Sequence, residues 1–161
     1  MDIGLYNKNR YRIGKFTDIS LHLLSKIKDE GFIDFINSKG IKVENKFIKD
    51  IPIHDLEDAY ELNCKVIYKG REFDVSSSMA NMIKTNKLII GTLDYPLSEE
   101  LGGFERVDKY YYEKEVGFYE IDKFNEVKKP LFHFKNTKSV TTREIPKDEI
   151  IKYALYIESF A

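Results

Sequence analysis

The sequence contains a single cysteine, Cys64, among 161 residues. One cysteine cannot close an intramolecular disulfide, and it does not supply the cysteine spacing of a zinc framework. No apolar run approaches the roughly 18–20 residues that a membrane-spanning helix needs. The N-terminal segment also lacks the apolar stretch of a signal peptide. These absences predict a cytoplasmic protein without a membrane segment.

Recognisable catalytic and cofactor motifs are missing as well. The three histidines have no nucleophile or base that the spacing identifies as a partner. The pair Gly102-Gly103 matches neither a P-loop nor a dinucleotide-binding fingerprint. We therefore expect no cofactor, no bound metal and no catalytic residue that the sequence can name. A small enzyme whose site is assembled from scattered residues stays open as an alternative function.

The residues that are present can build a core. Hydrophobic residues make up 42% of the chain and aromatic residues 14%. A chain of this length buries about 70% of the surface that its unfolded form exposes. The composition therefore predicts one globular domain over residues 1–161 rather than a disordered chain.

Charge is unevenly distributed along the chain, although the net charge is only −1. Residues 1–53 contain ten basic and seven acidic side chains, and residues 127–161 contain seven and four. Residues 54–126 contain nine basic and sixteen acidic side chains. A nucleic-acid-binding surface needs a strongly basic face, so this balance makes a nucleic-acid partner unfavourable. The acidic middle favours a basic partner, unless the basic ends fold beside it and neutralise it.

Alternating apolar residues predict strands joined by a turn in two segments of the chain. Residues 1–16 predict a hairpin or two short strands, on both sides of a turn at Asn7-Lys8-Asn9. Residues 62–75 alternate on both sides of Lys69-Gly70, where glycine accepts a positive φ. Cys64 falls on the apolar side of this second hairpin, which predicts a buried and unreactive thiol.

Other segments predict short helices, strands and loops. Apolar residues four apart predict a helix beginning at Thr17 or Asp18 and ending before Gly31, then a second short helix up to Gly40. We expect extended chain over residues 41–53, a helix capped by residues 76–78, a strand over 88–90, and a loop over 93–104. Residues 121–130 have the polar composition of turns, 131–134 predict a short strand, and 147–160 fit either helix or strand. Strands outnumber helices, so the fold class is α+β, mainly an antiparallel sheet packed with a few short helices.

An acidic cluster follows residue 53. One or two helical turns over residues 54–61 would place Asp55, Asp58 and Glu61 on one face. Carboxylate oxygens suit Mg²⁺ or Ca²⁺, but acidic residues also occur commonly on solvated helix faces. We assign no metal to this cluster.

Residues 104–121 are the most aromatic stretch, with three consecutive tyrosines. Read as one strand, the segment places Tyr110 and Tyr112 in the core. Tyr111 then lies on the other face with Glu113 and Glu115. The surrounding charges are mostly acidic and would repel phosphate, whereas a tyrosine with a polar tip suits a protein interface. We expect a partner-binding surface in this acidic part of the chain, formed by Tyr111, Glu113, Glu115, Asp55, Glu57 and Asp58. The alternative is that Tyr111 packs beneath a helix.

In size, in its Lys-, Ile- and Asn-rich composition and in its lack of a catalytic constellation, the chain resembles small bacterial immunity proteins that neutralise contact-delivered toxins. The resemblance implies a cytoplasmic, non-catalytic protein that occludes the active site of a cognate toxin, such as a nuclease. A basic toxin domain is the partner that the acidic residues would attract. An inhibitor or adaptor from a phage or mobile element is a further alternative.

Overall fold

The computed structural model describes residues 1–160, which divide into two compact units. Unit 1 contains residues 1–62, 128–141 and 159–160. Unit 2 contains residues 63–127 and 142–158. In residues 1–160, none of the helices has the length and apolar character needed to cross a membrane.

Residues 1–160 form twelve strands and three α-helices. The strands are β1 (Asp2–Tyr6), β2 (Asn9–Phe16), β3 (Ser20–Ser25), β4 (Ile33–Ile36), β5 (Lys42–Pro52), β6 (Asp58–Tyr68), β7 (Arg71–Val75), β8 (Lys87–Thr92), β9 (Glu105–Asp108), β10 (Tyr111–Gly117), β11 (Lys123–Pro130) and β12 (Thr141–Ile145). The helices are α1 (Met79–Thr85), α2 (Tyr95–Leu101) and α3 (Ile150–Glu158). Single 3₁₀ turns occupy Ile53–Asp55, Phe132–Asn136 and Lys147–Glu149. The predicted fold class, mainly antiparallel sheet with a few short helices, is confirmed.

Unit 1 is a sheet in the strand order β4-β5-β3-β2-β1-β6, with antiparallel neighbours. Alternate side chains of these strands point to one face and bury an apolar cluster. The cluster contains Tyr11, Ile13, Leu21, Leu23, Phe32, Ile51, Ile53, Leu56, Ala59 and Phe134. Burial of one face therefore fixes the register of the strands, because a slip by one residue would expose the whole set.

Within unit 2 the strand order is β6-β7-β8-β10-β9, and β11 pairs with both β6 and β12. The buried side chains Val66, Phe73, Leu88, Ile90, Val116 and Phe124 are at most 2% exposed. Helix α3 packs against them, since the ring of Tyr153 lies 6.0 Å from that of Phe124. Helix α1 contacts both α3 and β8, and its Met82 is fully buried. One face of this sheet is therefore the core.

Both predicted hairpins are present. Strands β1 and β2 join through Asn7 and Lys8, with φ of 48° and 65°. Strands β6 and β7 join through Lys69 and Gly70, with φ of 50° and 74°. Positive φ at both central residues gives the turn a twist that matches that of the flanking strands, which explains why short turns suffice here.

The two helices predicted for residues 17–40 are wrong, because these residues form β3 and β4. Ile19 and Ile27, placed by helical spacing on the core stripe, are 78% and 67% exposed. Leu21 and Leu23 are buried by alternation instead. Strands β2 and β5 pair with β3 on its two sides. This pairing with distant residues decides in favour of a strand, although the local spacing also fits a helix.

Three further segments differ from the prediction. The predicted loop at 93–104 contains α2, where the Asp94 carboxylate accepts a hydrogen bond from the N–H of Leu97 and caps the helix. The polar residues 121–130 contain strand β11, in which buried Phe124 and Glu126 alternate with the less buried Lys123, Asn125 and Val127. Residues 131–134 enter a 3₁₀ turn rather than a strand.

The helix predicted after residues 76–78 is confirmed as α1, which is capped by Ser78. The C-terminal segment, for which both helix and strand were possible, contains helix α3.

The tyrosine stretch is a hairpin rather than one long strand. Strands β9 and β10 pair antiparallel, and Lys109 and Tyr110 form the turn between them. Tyr110 is 65% exposed, so its predicted place in the core is wrong, and Tyr112 is only half-buried. The turn was not predicted, because it contains neither glycine nor proline and the residues on both sides of it have the charged and aromatic composition of strands.

Candidate protein-binding surface

The second face of the unit 2 sheet carries charged side chains. Strand registers place one residue of each strand in a row across this sheet. The row reads Glu105 on β9, Glu113 on β10, Gly91 on β8, Asp74 on β7 and Lys65 on β6. Side chains directly opposite one another on paired strands point to the same face. The row therefore crosses the face opposite to the buried side chains.

Alternation adds the neighbouring residues to this surface, which we call the acidic face. The acidic face consists of Lys65, Glu72, Asp74, Lys87, Ile89, Glu105, Tyr111, Glu113 and Glu115. Its carboxylates outnumber its lysines by five to two. The surface is therefore acidic even after its internal ion pairs are counted.

Lysines neutralise part of the acidic face. Lys65 Nζ lies 2.5 Å from an Asp74 oxygen and 4.0 Å from one of Glu72, and the hydrogen bond to Asp74 raises the pKa of Lys65. Lys87 Nζ lies 2.5 Å from an oxygen of Glu115, and this hydrogen bond raises the pKa of Lys87. Both contacts are solvent-exposed, so they contribute little to stability and weaken with salt.

Glu105 and Glu113 are different, because they face each other in the β9–β10 register. Within residues 1–160, neither carboxylate has a basic side chain within ion-pair distance. Like charges directly opposite on paired strands destabilise a sheet, by about 0.2–1 kcal/mol. The pair therefore costs the folded state free energy that the fold does not recover through a local counter-ion.

A cleft of about 360 Å³ opens beside these carboxylates. Its lining is Ile89, Gly103, Glu105, Val107, Glu113, Lys114 and Glu115. The ammonium group of Lys114 is engaged elsewhere, since it donates to the carbonyl of Gly102 at 2.9 Å and lies over the ring of Phe104 at 5.8 Å. Carboxylates beside apolar Ile89 and Val107 match the two parts of a lysine or arginine side chain, a cationic tip and an aliphatic stem.

Tyr111 lies on the acidic face as predicted by alternation, and it packs on the sheet itself rather than beneath a helix. Its hydroxyl is 2.9 Å from the hydroxyl of Ser76. The ring lies over Gly91, where an added Cβ would overlap the hydroxyl oxygen and Cζ of Tyr111. The absence of a side chain at Gly91 therefore makes room for the phenol. This half-buried tyrosine forms a fixed aromatic platform between the carboxylates.

The other predicted site residues, Asp55, Glu57 and Asp58, belong to unit 1, whereas Tyr111, Glu113 and Glu115 belong to unit 2. Within unit 1 these carboxylates have local partners. Asp58 lies 2.8 Å from the ammonium of Lys138, and Glu57 accepts a hydrogen bond of 3.0 Å from the N–H of Lys8 in the β1–β2 turn. Asp55 lies 3.2 Å from His54. Each of the three carboxylates therefore has a contact within unit 1.

The helical face proposed for Asp55, Asp58 and Glu61 does not exist. The 3₁₀ turn ends at Asp55, and the other two residues lie on β6. Strand geometry separates residues that a helix would bring onto one face. Within residues 1–160, no group of three or more His, Cys, Asp or Glu side chains is placed to hold a metal ion.

The sequence analysis missed Glu72, Asp74 and Glu105 as members of the acidic face, and Val107 as part of the cleft lining. The alternation of Glu72 and Asp74 around buried Phe73 was a usable signal for the first two. The position of Glu105 could not be predicted, because one long strand over residues 104–121 would place it far from Glu113. The β9–β10 hairpin instead pairs the two residues.

A second polar cluster lies in the core of unit 2. The buried Glu126 accepts a hydrogen bond of 3.1 Å from Nε of Arg143. The hydroxyl of Tyr153 lies 3.8 Å from Sγ of Cys64. Burial raises the pKa of Tyr153, and burial likewise raises the pKa of Cys64 to about 11. Cys64 is half-buried rather than fully buried, but a thiol with this pKa carries little thiolate at neutral pH and is a poor nucleophile.

The fold and the surface together define an antiparallel-sheet protein with one covered face and one open, acidic face in unit 2. The chain belongs to the family described as uncharacterised conserved protein UCP033725, whose model matches residues 3–133. No curated protein and no solved structure matches the chain. The matched range includes the whole acidic face and all strands except β12.

Proposed function

We propose that the protein is a non-catalytic binding protein, which holds a basic protein partner on the acidic face. The observation that carries the proposal is the pair Glu105 and Glu113, opposed across β9 and β10 without a counter-ion, at the rim of a cleft. A basic side chain from a partner would supply the missing counter-charge. Binding would then relieve a repulsion that the free protein carries, which is favourable beyond the new contact itself.

The neighbouring residues support this role. Tyr111 offers aromatic area with a polar tip, and its bond to Ser76 holds the ring in place before a partner arrives. A side chain that is already ordered loses less entropy on binding. Ile89 and Val107 supply apolar contact inside the charged rim. An apolar centre with a charged rim is the usual anatomy of a protein interface.

The specific partner that we propose is a bacterial toxin domain, which the protein would neutralise as an immunity protein in the cytoplasm. A toxin that acts on nucleic acid has a basic active site, and an acidic surface would be steered towards it and would occlude it. This step rests on the general resemblance described above and on the charge of the acidic face. It assigns no catalytic residue, cofactor or metal to the chain.

The test uses the protein encoded by the reading frame directly upstream, because an immunity gene is expected to follow its toxin gene. Expression of that neighbour alone should stop growth of a bacterial host, and co-expression of the wild-type chain should restore it. A double variant, Glu105→Gln with Glu113→Gln, should lower the association rate at low salt by at least about tenfold, because steering charge is lost. Glu99→Gln on helix α2 removes an exposed carboxylate outside the acidic face and should leave the rate unchanged.

Two results would contradict the proposal. If the neighbour is harmless and does not bind the chain, the immunity role is wrong. If the neighbour binds but the double variant binds equally fast at low salt, the acidic face is not the interface. A measurement without any partner tests the premise: Glu113→Gln alone should raise the free energy of unfolding by about 0.2–1 kcal/mol. A decrease would show that the Glu105–Glu113 pair is not repulsive.

A further inference from the structure

Strand β4 ends the strand order of unit 1, and its exposed side chains are apolar. Ile33 and Ile36 are 67% and 60% exposed. Ile27 and Ile41, which flank the strand in the sequence, are 67% and 58% exposed. An edge strand presents unpaired N–H and C=O groups, so an apolar edge is a ready site for pairing with another chain.

Strand β9, which ends the strand order of unit 2, is protected in the usual way. Three of its four residues are charged, namely Glu105, Arg106 and Asp108. The guanidinium of Arg106 also donates to the carbonyls of Asp108 and Lys109, at 3.1 and 2.8 Å. Charged side chains discourage edge-to-edge pairing. Strand β4 has one charged residue, Asp34, and that residue is already bonded within its own chain.

The outer edge of β4 is also regular enough to pair. The β4–β5 register shifts between Asp34 and Ile36. The extra residues of this irregularity are on β5, where residues 43–46 lie between the partners of Ile36 and Asp34. Bulges protect an edge when they bend the edge strand itself. Here the bulging residues lie on the inner neighbour, so β4 keeps its extended edge.

We propose that β4 pairs with β4 of a second copy of the chain, forming an antiparallel, two-fold symmetric dimer. A two-fold axis that relates antiparallel neighbours runs through the sheet, so residues of the same face meet across it. In such a dimer one residue of β4 faces the same residue of the second copy at the axis. Two registers keep most of the four residues paired, because either of the two middle residues can lie at the axis. One places Asp34 opposite Asp34 of the second copy, and the other places Phe35 opposite Phe35.

Charge decides between these registers. The first register sets two carboxylates directly opposite each other, which is unfavourable. The second sets Asp34 opposite Ile36 of the second copy, whose partner on β5 is the basic Lys42. In each copy Lys42 Nζ already lies 3.0 Å from Asp34, so the dimer would bring two such pairs together with alternating sign. The second register also stacks two Phe35 rings, each with Lys46 at 4.3 Å from its centroid.

The first experiment measures association. Sedimentation equilibrium of the wild-type chain, from about 1 µM to about 1 mM, should show a species of twice the 18.9 kDa chain mass. Phe35→Lys should raise the dimer dissociation constant at least about tenfold, since the second register sets the two lysines directly opposite each other. Val107→Lys on β9 is the matched control, because it adds the same charge to the other edge strand and should leave the constant unchanged. Circular dichroism and thermal melting show that each variant is folded.

A wild-type chain that stays monomeric throughout overturns the proposal, and so does an equal effect of the two lysine variants. The second experiment tests the register. In a Cys64→Ala background, Phe35→Cys should form an intermolecular disulfide under mild oxidation, because facing residues on paired strands approach closely enough. Asp34→Cys should cross-link much less. The reverse preference would overturn the register, and cross-linking of neither variant would overturn the β4 interface.

Discussion

The contact between Gly91 and Tyr111 can be tested by a double-mutant cycle. Gly91→Ala adds a Cβ that would overlap the hydroxyl oxygen and Cζ of Tyr111 and would lie 2.7 Å from Oγ of Ser76. The ring must therefore swing away and give up its hydrogen bond of 2.9 Å to Ser76. Overpacking costs about 1–3 kcal/mol, and the lost hydrogen bond costs about 0.5–1.5 kcal/mol. Replacing glycine in a strand returns about 0.5–1 kcal/mol.

The expected net result is that Gly91→Ala lowers the free energy of unfolding by about 1–3 kcal/mol. In a Tyr111→Ala background the ring is absent and the Ser76 hydroxyl, released from its bond to Tyr111, can rotate away from the added Cβ. The same change should then be neutral or stabilising by up to about 1 kcal/mol. The coupling between the two positions is therefore about 1–4 kcal/mol, and most of this span lies within the range of about 0.5–3 kcal/mol for residues in contact.

Urea unfolding followed by circular dichroism measures all four proteins of the cycle, with an unchanged m-value as the check on a two-state comparison. Gly14→Ala is the matched control, because a Cβ there meets its nearest atoms at 3.4 Å, which is ordinary contact. Gly14→Ala should be neutral or stabilising. If Gly91→Ala costs the same with and without Tyr111, within about 0.5 kcal/mol, the ring does not occupy the space above Gly91 and the reasoning fails.

Three further predictions concern the core of unit 2. Phe73→Ala should lower the free energy of unfolding by about 3–5 kcal/mol, because the ring is 2% exposed; a loss below about 1 kcal/mol would contradict its place in the core. Because burial raises the pKa of Cys64 to about 11, its thiol in the folded protein should react with iodoacetamide at pH 8 at least about tenfold more slowly than in urea, and equal rates would contradict this. The raised pKa also means that the contribution of Cys64 to stability is fully present below the ordinary thiol pKa and is lost as pH rises towards 11. Arg143→Ala leaves the buried Glu126 carboxylate without its charged donor and should cost about 1–3 kcal/mol, with part of the loss recovered by Glu126→Gln in the same chain; no recovery would mean that Arg143 acts through packing alone.

The sequence predicted those elements whose signal is local. Lys69-Gly70 lies between two alternating runs, so the turn and its strands could be found without tertiary information. Ser78 likewise caps α1 through a hydrogen bond to the N–H of Asn81, only three residues away. The fold class followed from counting such segments.

The errors have a common physical cause, which is pairing between distant residues. Leu21 and Leu23 fit a helix when only their own spacing is considered, but β5 pairs with β3 from about thirty residues away. The turn at Lys109-Tyr110 has no residue that typically marks a turn, so the tyrosine stretch read as one strand. Both errors follow from a fold in which sheet pairing overrides local preference.

For the candidate site, the sequence placed the residues of one strand but not their partners on neighbouring strands. Alternation on β10 correctly set Tyr111, Glu113 and Glu115 on one face, because this argument needs only one strand. The counterparts across the sheet could not be known without the register, and the register is what places Glu105 opposite Glu113. Asp55, Glu57 and Asp58 were grouped with these residues only because all of them lie in the acidic middle part of the sequence. The structure assigns the three carboxylates to unit 1.

The acidic face combines features that oppose each other in the isolated fold. Stability alone would favour a lysine or threonine opposite Glu113, since either removes the repulsion with Glu105 at no cost in packing. It would also favour a β-branched residue at Gly91, which lies in the interior of a sheet. Instead, the residue opposite Glu113 is Glu105, which keeps the cleft acidic. The residue at position 91 is glycine, which leaves room for the ring of Tyr111 on the sheet. Local rules of stability are most often broken at functional sites. Two such departures, adjacent in one register row, therefore support binding on this face more strongly than its net charge does.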